Sequence, residues 1–186
     1  GFCLVATTDD QVRRLRHDIE LAKNFGEGMV PQFLDRKAIR ERVPSPAAIA
    51  GIDSGGLIIN PFKLVRGLND FAIEQGIKIY EGTSALEVFD VGSRTLVTTN
   101  YGSVTADQVV YATNAYQHQF PELKRSIVPI WSYALVTEPL TDGELESLNW
   151  PTRHGFVEAK NFIVFLRLTA DNRILIGGGP ATYKAN

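Results

Sequence analysis

At Gly76 the hydrophobic period of this chain changes, and that change limits the folds open to it. Upstream, Leu64, Leu68 and Phe71 recur every three or four residues, the spacing of an amphipathic helix. Downstream, Ile77 and Ile79 alternate with Lys78 and Tyr80, and Leu86 and Val88 alternate with Glu87 and Phe89, the period of a strand. A chain that switches period in this way builds both helices and a sheet, so the expected fold class is mixed α/β. Asn60-Pro61 reads as the helix start, with Asn as N-cap and Pro at the first helical position, and Gly76 as its stop. The cap accounts for Asn60, which is therefore not assigned a catalytic role.

The first third of the chain follows the same logic. Phe2–Ala6 is a short buried strand, and Thr8-Asp9-Asp10-Gln11 is a capping box with acidic residues in the first turn. Val12, Leu15, Ile19 and Ala22 give that helix its buried stripe, and Gly26 or Gly28 ends it. Arg13, Arg14, Arg16 and His17 fall mostly on the other faces and read as solvated surface. Pro31–Asp35 is a brief extended segment, and Arg36–Arg42 a short helix stopped before Pro44 and Pro46. In the Gly-rich run Ala47–Ile59, Gly55-Gly56 marks a turn or a close backbone approach.

Beyond the period change, Arg94–Thr99 and Ser103–Ala106 form a hairpin across Asn100-Tyr101-Gly102. The chain then enters Gln108–Tyr116, QVVYATNAY. Val109–Tyr111 is expected as a buried strand, and the small residues Ala112, Thr113 and Ala115 follow its carboxyl end. Small residues there admit either a ligand at a sheet edge or a packed helix; local sequence leaves both readings open. Further on, Ile127–Thr137 is aromatic and strand-like, and Thr141–Leu148 is a short helix. Asn161–Thr169 and Arg173–Gly177 are strands joined by the turn Ala170-Asp171-Asn172.

Composition removes several function classes. A formal net charge of −2 over 186 residues gives no basic footprint for nucleic acid or an anionic membrane. No apolar run approaches the ~20 residues of a membrane span. The sole cysteine, Cys3, lies in an apolar run, which excludes a disulfide framework and fits a reducing compartment such as the cytoplasm. His17, His118 and His154 are scattered without metal-ligand spacing, so no metal site is expected. There is no CxxC, HExxH, Walker loop or GxSxG, and Gly177-Gly178-Gly179 reads as a turn at a strand end rather than a phosphate cradle. Gly1 runs straight into a strand and Met29 is the only methionine, so the chain is expected to be a piece of a longer protein.

Four ordered blocks add something more specific. GLIINPFKLVRGLNDFAIEQGIKIYEGTSALEVF, TTNYGSVTADQVVYATNAY, ALVTEPL and LRLTADNRILIGGG resemble the FAD-dependent amine oxidoreductases of the D-amino acid oxidase and sarcosine oxidase family, with most likeness to its gamma-glutamylputrescine oxidoreductase branch. The resemblance runs from Gly1 to the end of the chain. It implies FAD as cofactor, a small amine or amino acid as substrate, hydride transfer to the flavin, imine hydrolysis and peroxide formation. In such enzymes the flavin carries the chemistry, which explains why no acid–base constellation stands out.

Matched position by position, the resemblance puts Leu86 at the adenine and Ala112, Thr113 and Asn114 beside the cofactor, with Tyr116 nearer the flavin. Family members often carry Gly where Asn114 stands. Trp131 and Tyr133 are implied to line the substrate cavity, and Arg167 to pair a substrate carboxylate. Relatives often have an aromatic directly before that arginine, where this chain has Leu166, and a surface or inter-strand ion pair is the other reading of Arg167. The Gly-rich dinucleotide fingerprint is not in this chain and is expected upstream; the family's C-terminal flavin-contacting segment is also missing.

The expected layout is a substrate-binding domain of mixed sheet and flanking helices, over 1–76 and 119–186, around an incomplete part of a Rossmann-like FAD-binding domain over 77–118. Such a piece is expected to be inactive alone and not to retain FAD. An exposed sheet edge around residues 80–112 would favour self-association or local disorder. The competing expectation is a non-catalytic ligand-binding or interaction module that keeps only the substrate domain.

Overall fold

The computed structural model describes residues 1–26, 28, 30–121, 123, 125–127 and 130–179, with Gln117 and His118 described by their backbone alone. Two compact units are present. One is built from Gly1–Ile59 and the chain from Ile130 onward, the other from the chain between Asn60 and Pro129.

In the first unit, seven strands form one sheet. They are β1 (Phe2–Ala6), β2 (Gln32–Leu34), β3 (Ala50–Asp53), β7 (Tyr133–Val136), β8 (Gly155–Glu158), β9 (Val164–Leu168) and β10 (Ile174–Gly178), ordered β2-β3-β1-β8-β9-β10-β7. Only β1 and β8 run parallel; the other neighbours are antiparallel. The sheet is therefore mixed, as the sequence implies.

Helix α1 (Asp9–Ala22) starts on the capping box anticipated above: the Thr8 side chain accepts from Gln11 N at 3.3 Å, and Gln11 Oε1 accepts from Thr8 N at 3.3 Å. Its Leu15, 1% exposed, packs with Ala6, Ala50 and Ile52, and Val12, Ile19 and Phe33 close over that cluster. Helix α2 (Arg36–Arg40) is capped by Asp35, which accepts from Ala38 N at 2.9 Å. Its Ile39 packs against Cys3, Val5, Leu34, Val43 and Ala48. In the ladders, Cys3 and Val5 point to one face of β1 and Leu4 and Ala6 to the other. The β2-β3-β1 end of the sheet is thus covered on both faces, by α2 on one and α1 on the other. Gly51 permits the α2 contact, since a Cβ there would lie 2.7 Å from Ile39 Cδ1. Helix α4 (Asp142–Leu148) has its own capping box, Thr141 with Glu144, and ends at Asn149 in the left-handed region, φ 48°.

The second unit holds helix α3 (Pro61–Glu74) and the three-stranded sheet β4 (Ala85–Val91), β5 (Arg94–Thr99), β6 (Gly102–Ala106), in that order. Asn60 caps α3 by accepting from Lys63 N at 3.1 Å, with Pro61 in the first turn. A 3-10 turn follows at Asn114–Gln119, and Tyr111 meets Phe120 edge-on at 4.8 Å between ring centroids.

Several expectations require correction. Leu64, Leu68 and Phe71 have the helical spacing expected of them but are 47%, 56% and 58% exposed, because no described residue buries that face of α3. Ile77–Tyr80 and Val109–Tyr111 are not strands, and Val110 is 86% exposed. Alternation or branching at Cβ disposes a segment to extend, but a strand also needs a neighbour for its N–H and C=O groups. No described residue is in register with either segment. Within Ile127–Thr137 the strand is confined to Tyr133–Val136, and Val128 and Pro129 lie outside the described residues. Two strands have no counterpart in the sequence reading, Ala50–Asp53 and Gly155–Glu158. Each is four residues long, contains Gly and is packed on both sides, so neither shows alternation.

Candidate flavin edge and candidate substrate face

The cofactor-side residues gather in the second unit on two features of the backbone. Leu86 is the extra residue of a β-bulge: Ala85 pairs with Thr99 and Glu87 with Thr98, so Leu86 has no cross-strand partner. Its side chain is 56% exposed. The second feature is the run after Tyr111. The Thr113 carbonyl closes the turn by accepting from Tyr116 N at 3.0 Å. Its hydroxyl, however, is buried with no hydrogen-bond partner among the described residues. Asn114 follows with φ 48°, the left-handed region that Gly enters freely and Asn tolerates better than most side chains. Asn is thus among the few residues other than Gly suited to this position. Ala112 is exposed, and Tyr116 is 68% exposed.

The substrate-side residues do not converge. Arg167 lies on β9, where it pairs with Leu175 of β10, which in turn pairs with Val136 of β7. Tyr133 pairs with Gly178, which pairs with Val164. Because Val164 and Arg167 are three residues apart on one strand, the two sets point to opposite faces. Arg167 therefore shares its face with Phe165, Val136 and Ala134, and Tyr133 does not. Trp131 lies outside β7 and is 73% exposed.

Arg167 Nη1 donates to the carbonyl of Ile59 at 2.8 Å, and no ion pair to it is found among the described residues. Two glycines shape this face. A Cβ at Gly155 would lie 2.7 Å from Ile58 Cδ1 and 3.5 Å from Arg167 Cβ, and one at Gly177 would enter the Phe165 ring. Phe165 and Gly155 were not singled out in the sequence, and Gly177, read there as part of a turn, lies within β10. Their signal is long-range, set by which strands become neighbours.

Cys3 is not a nucleophile here. Burial, with Asp53 adding to it, pushes its thiol up to about 11, so it stays protonated at neutral pH. Elsewhere an open cleft of about 350 Å³ lies beside α4, lined by Leu145, Trp150, Arg153 and Leu168 among others, and contains none of the expected site residues. No described helix is long and apolar enough to cross a membrane.

The mixed seven-stranded sheet with flanking helices places this chain among mixed α/β proteins. The FAD dependent oxidoreductase (DAO) family model matches residues 1–186, and the chain belongs to that family. It is 32% identical over 182 residues to gamma-glutamylputrescine oxidoreductase of Escherichia coli (strain K12), covering 96% of this chain and 42% of that protein. It is 33% identical over 151 residues to a probable oxidoreductase OrdL of Rhizobium meliloti, covering 80% of this chain and 35% of the relative. The chain thus spans less than half the length of these curated relatives.

Among solved structures, glycine oxidase from Geobacillus kaustophilus matches with a TM-score of 0.73 at 21% identity, covering 98% of this chain and 47% of that one. L-proline dehydrogenase from P. horikoshii matches with a TM-score of 0.77 at 23% identity, covering 98% and 50%. At these identities the structures speak for the fold alone.

FAD is the family's cofactor in the full-length protein. The residues here fit a part of it. A buried hydroxyl without a partner costs about 1–3 kcal/mol, and a polar cofactor edge would supply the partner Thr113 lacks. The Leu86 bulge likewise leaves backbone groups outside the ladder.

Proposed function

We propose that this chain is the central part of an FAD-dependent oxidoreductase that oxidises the C–N bond of a small amine or amino acid. The family match across all 186 residues carries this reading. With FAD bound, the flavin would accept a hydride from the amine carbon, water would hydrolyse the resulting imine, and dioxygen would take up the two electrons as hydrogen peroxide. The polyamine-derived substrate in the name of the Escherichia coli relative makes polyamine conjugates the first compounds to try.

The unit containing α3 and β4-β5-β6 is assigned to the cofactor side, and the seven-stranded sheet to the substrate side. Leu86, Ala112, Thr113, Asn114 and Tyr116 form part of the FAD wall, with Thr113 giving its hydroxyl to a polar atom of the cofactor. Arg167 holds a substrate carboxylate through the guanidinium nitrogens not bound to Ile59 O; Phe165 offers an apolar neighbour on the same face. Trp131 and Tyr133 act on the other side of the sheet or its rim, and so belong to a different wall from Arg167. The 186-residue chain alone is inactive and does not retain FAD, since no residue in it supplies the glycine-rich pyrophosphate cradle. Its single buried cysteine suits a reducing, cytoplasmic location.

Purified full-length protein tests this directly. Flavin absorbance and amine-dependent peroxide are expected, with Thr113→Val lowering flavin retention. Arg167→Met is expected to raise KM about 10–100-fold for a substrate bearing a carboxylate, the worth of a charged hydrogen-bonded pair, and to leave KM unchanged for a carboxylate-free amine. A preparation without flavin and without amine-dependent peroxide would leave the non-catalytic module as the better account.

A further inference from the structure

Three side chains with metal-ligand chemistry, drawn from distant parts of the sequence, meet on the α2 face of the large sheet. Cys3 and Asp53 are direct cross-strand partners in the β1–β3 ladder. His154 immediately precedes β8, whose Gly155 pairs with Phe2 on the other side of β1. One ligand atom from each of the three lies within 4.8 Å of the others. Cys3 is fully buried, and the side chains of Asp53 and His154 are only 19% and 20% exposed.

The imidazole is the informative member. His154 Nδ1 is buried with no hydrogen-bond partner among the described residues. Nε2 lies 3.8 Å from Asp53 Oδ2, beyond hydrogen-bond reach. A mostly buried ring whose Nδ1 has no hydrogen-bond partner among the described residues is the kind of polar group that an ion or ordered water normally explains. Asp53 is already oriented: Oδ1 accepts from Gly55 N at 2.9 Å, and Oδ2 accepts from Arg42 Nε at 3.3 Å. Each carboxylate oxygen retains a further lone pair.

We propose that Cys3, Asp53 and His154 form a binding site for a borderline-soft divalent cation of the zinc class. One sulfur, one nitrogen and one oxygen donor suit zinc, whereas calcium and magnesium require all-oxygen shells of six or more ligands. Ligands bound to zinc at ~2.0–2.3 Å sit roughly 3.3–3.6 Å apart in a tetrahedron, so atoms now within 4.8 Å of one another close by up to about 1.5 Å through side-chain torsions. On binding, the Cys3 thiol proton leaves to solvent and the thiolate takes its place on the metal. The bound ion would tie β3, β1 and the start of β8 together. Arg42 is its natural competitor, since the guanidinium neutralises Asp53 in the metal-free state. This site is independent of the flavin reading.

The test uses full-length protein stripped with a chelator and titrated with Co²⁺, whose thiolate bond gives a near-ultraviolet charge-transfer band. One saturable equivalent is expected, displaced by Zn²⁺, with the band lost in Cys3→Ser and affinity at least about tenfold weaker in His154→Gln. Arg42→Gln is expected to bind about tenfold more tightly, because it removes the competing cation. Circular dichroism checks that each variant folds; if Cys3→Ser does not, the other two still decide. No thiolate band, or a band unchanged by His154→Gln, would overturn the site. Binding in Arg42→Gln no tighter than in the parent would remove Asp53 from it.

Discussion

Asn114 sits at φ 48° directly after the buried, unpartnered Thr113 hydroxyl. Its conformation costs a side chain with a full Cβ and no local hydrogen bond about 1–2 kcal/mol. Asn114→Ala is therefore expected to lower stability by about 1 kcal/mol and Asn114→Gly to change it by less than about 0.5 kcal/mol, measured by chemical denaturation. Glu158 makes a pH prediction. Lys160 chiefly, with Thr7 and Gln11, holds its carboxyl below the ordinary carboxylate range. A lowered folded pKa means that ionised Glu158 stabilises the fold above the unfolded value of about 4.3, and that this is lost as pH falls through the lower folded value. Glu158→Gln should thus be less stable than the parent at neutral pH, by about 1 kcal/mol or less, and the gap should close in acid. A gap that widened below pH 4 would contradict that assignment.

At the scale of elements, local signals were legible and long-range ones were not. The capping boxes at Thr8–Gln11 and Thr141–Glu144 and the Asn60-Pro61 start lie within four residues of sequence, so the chain shows them directly. The stripe on α3 is equally plain, yet its burial depends on a neighbour and does not follow from its period. The same holds for Val109–Tyr111, whose β-disposed side chains do not by themselves make a strand. Whether Arg167 and Tyr133 share a face is a matter of ladder register, which fixes them apart through Leu175 and Gly178. The grouping of Cys3, Asp53 and His154 depends on sheet order in the same way, and their spacing gives no metal motif. Burial differences between helices can be measured. Leu15→Ala in α1 is expected to cost about 2–4 kcal/mol, because Leu15 is 1% exposed. Leu68→Ala in α3, where the side chain is 56% exposed, should change the stability of the 186-residue chain by less than about 0.5 kcal/mol. Equal costs at both positions would show α3 to be covered.

For the whole molecule, the family assignment and the mixed α/β fold agree with what the four sequence blocks imply. In the proposed enzyme this chain holds one wall of the FAD site, at Thr113–Asn114, and a substrate face, at Arg167. In that enzyme an amine delivers electrons to the flavin. Anaerobic mixing of full-length protein with amines and amino acids, followed in the flavin's visible absorbance, tests that claim most directly. The account predicts that at least one such compound bleaches the oxidised band to completion, with one two-electron equivalent per flavin. A protein that holds its flavin fully oxidised against every amine and amino acid supplied would contradict it.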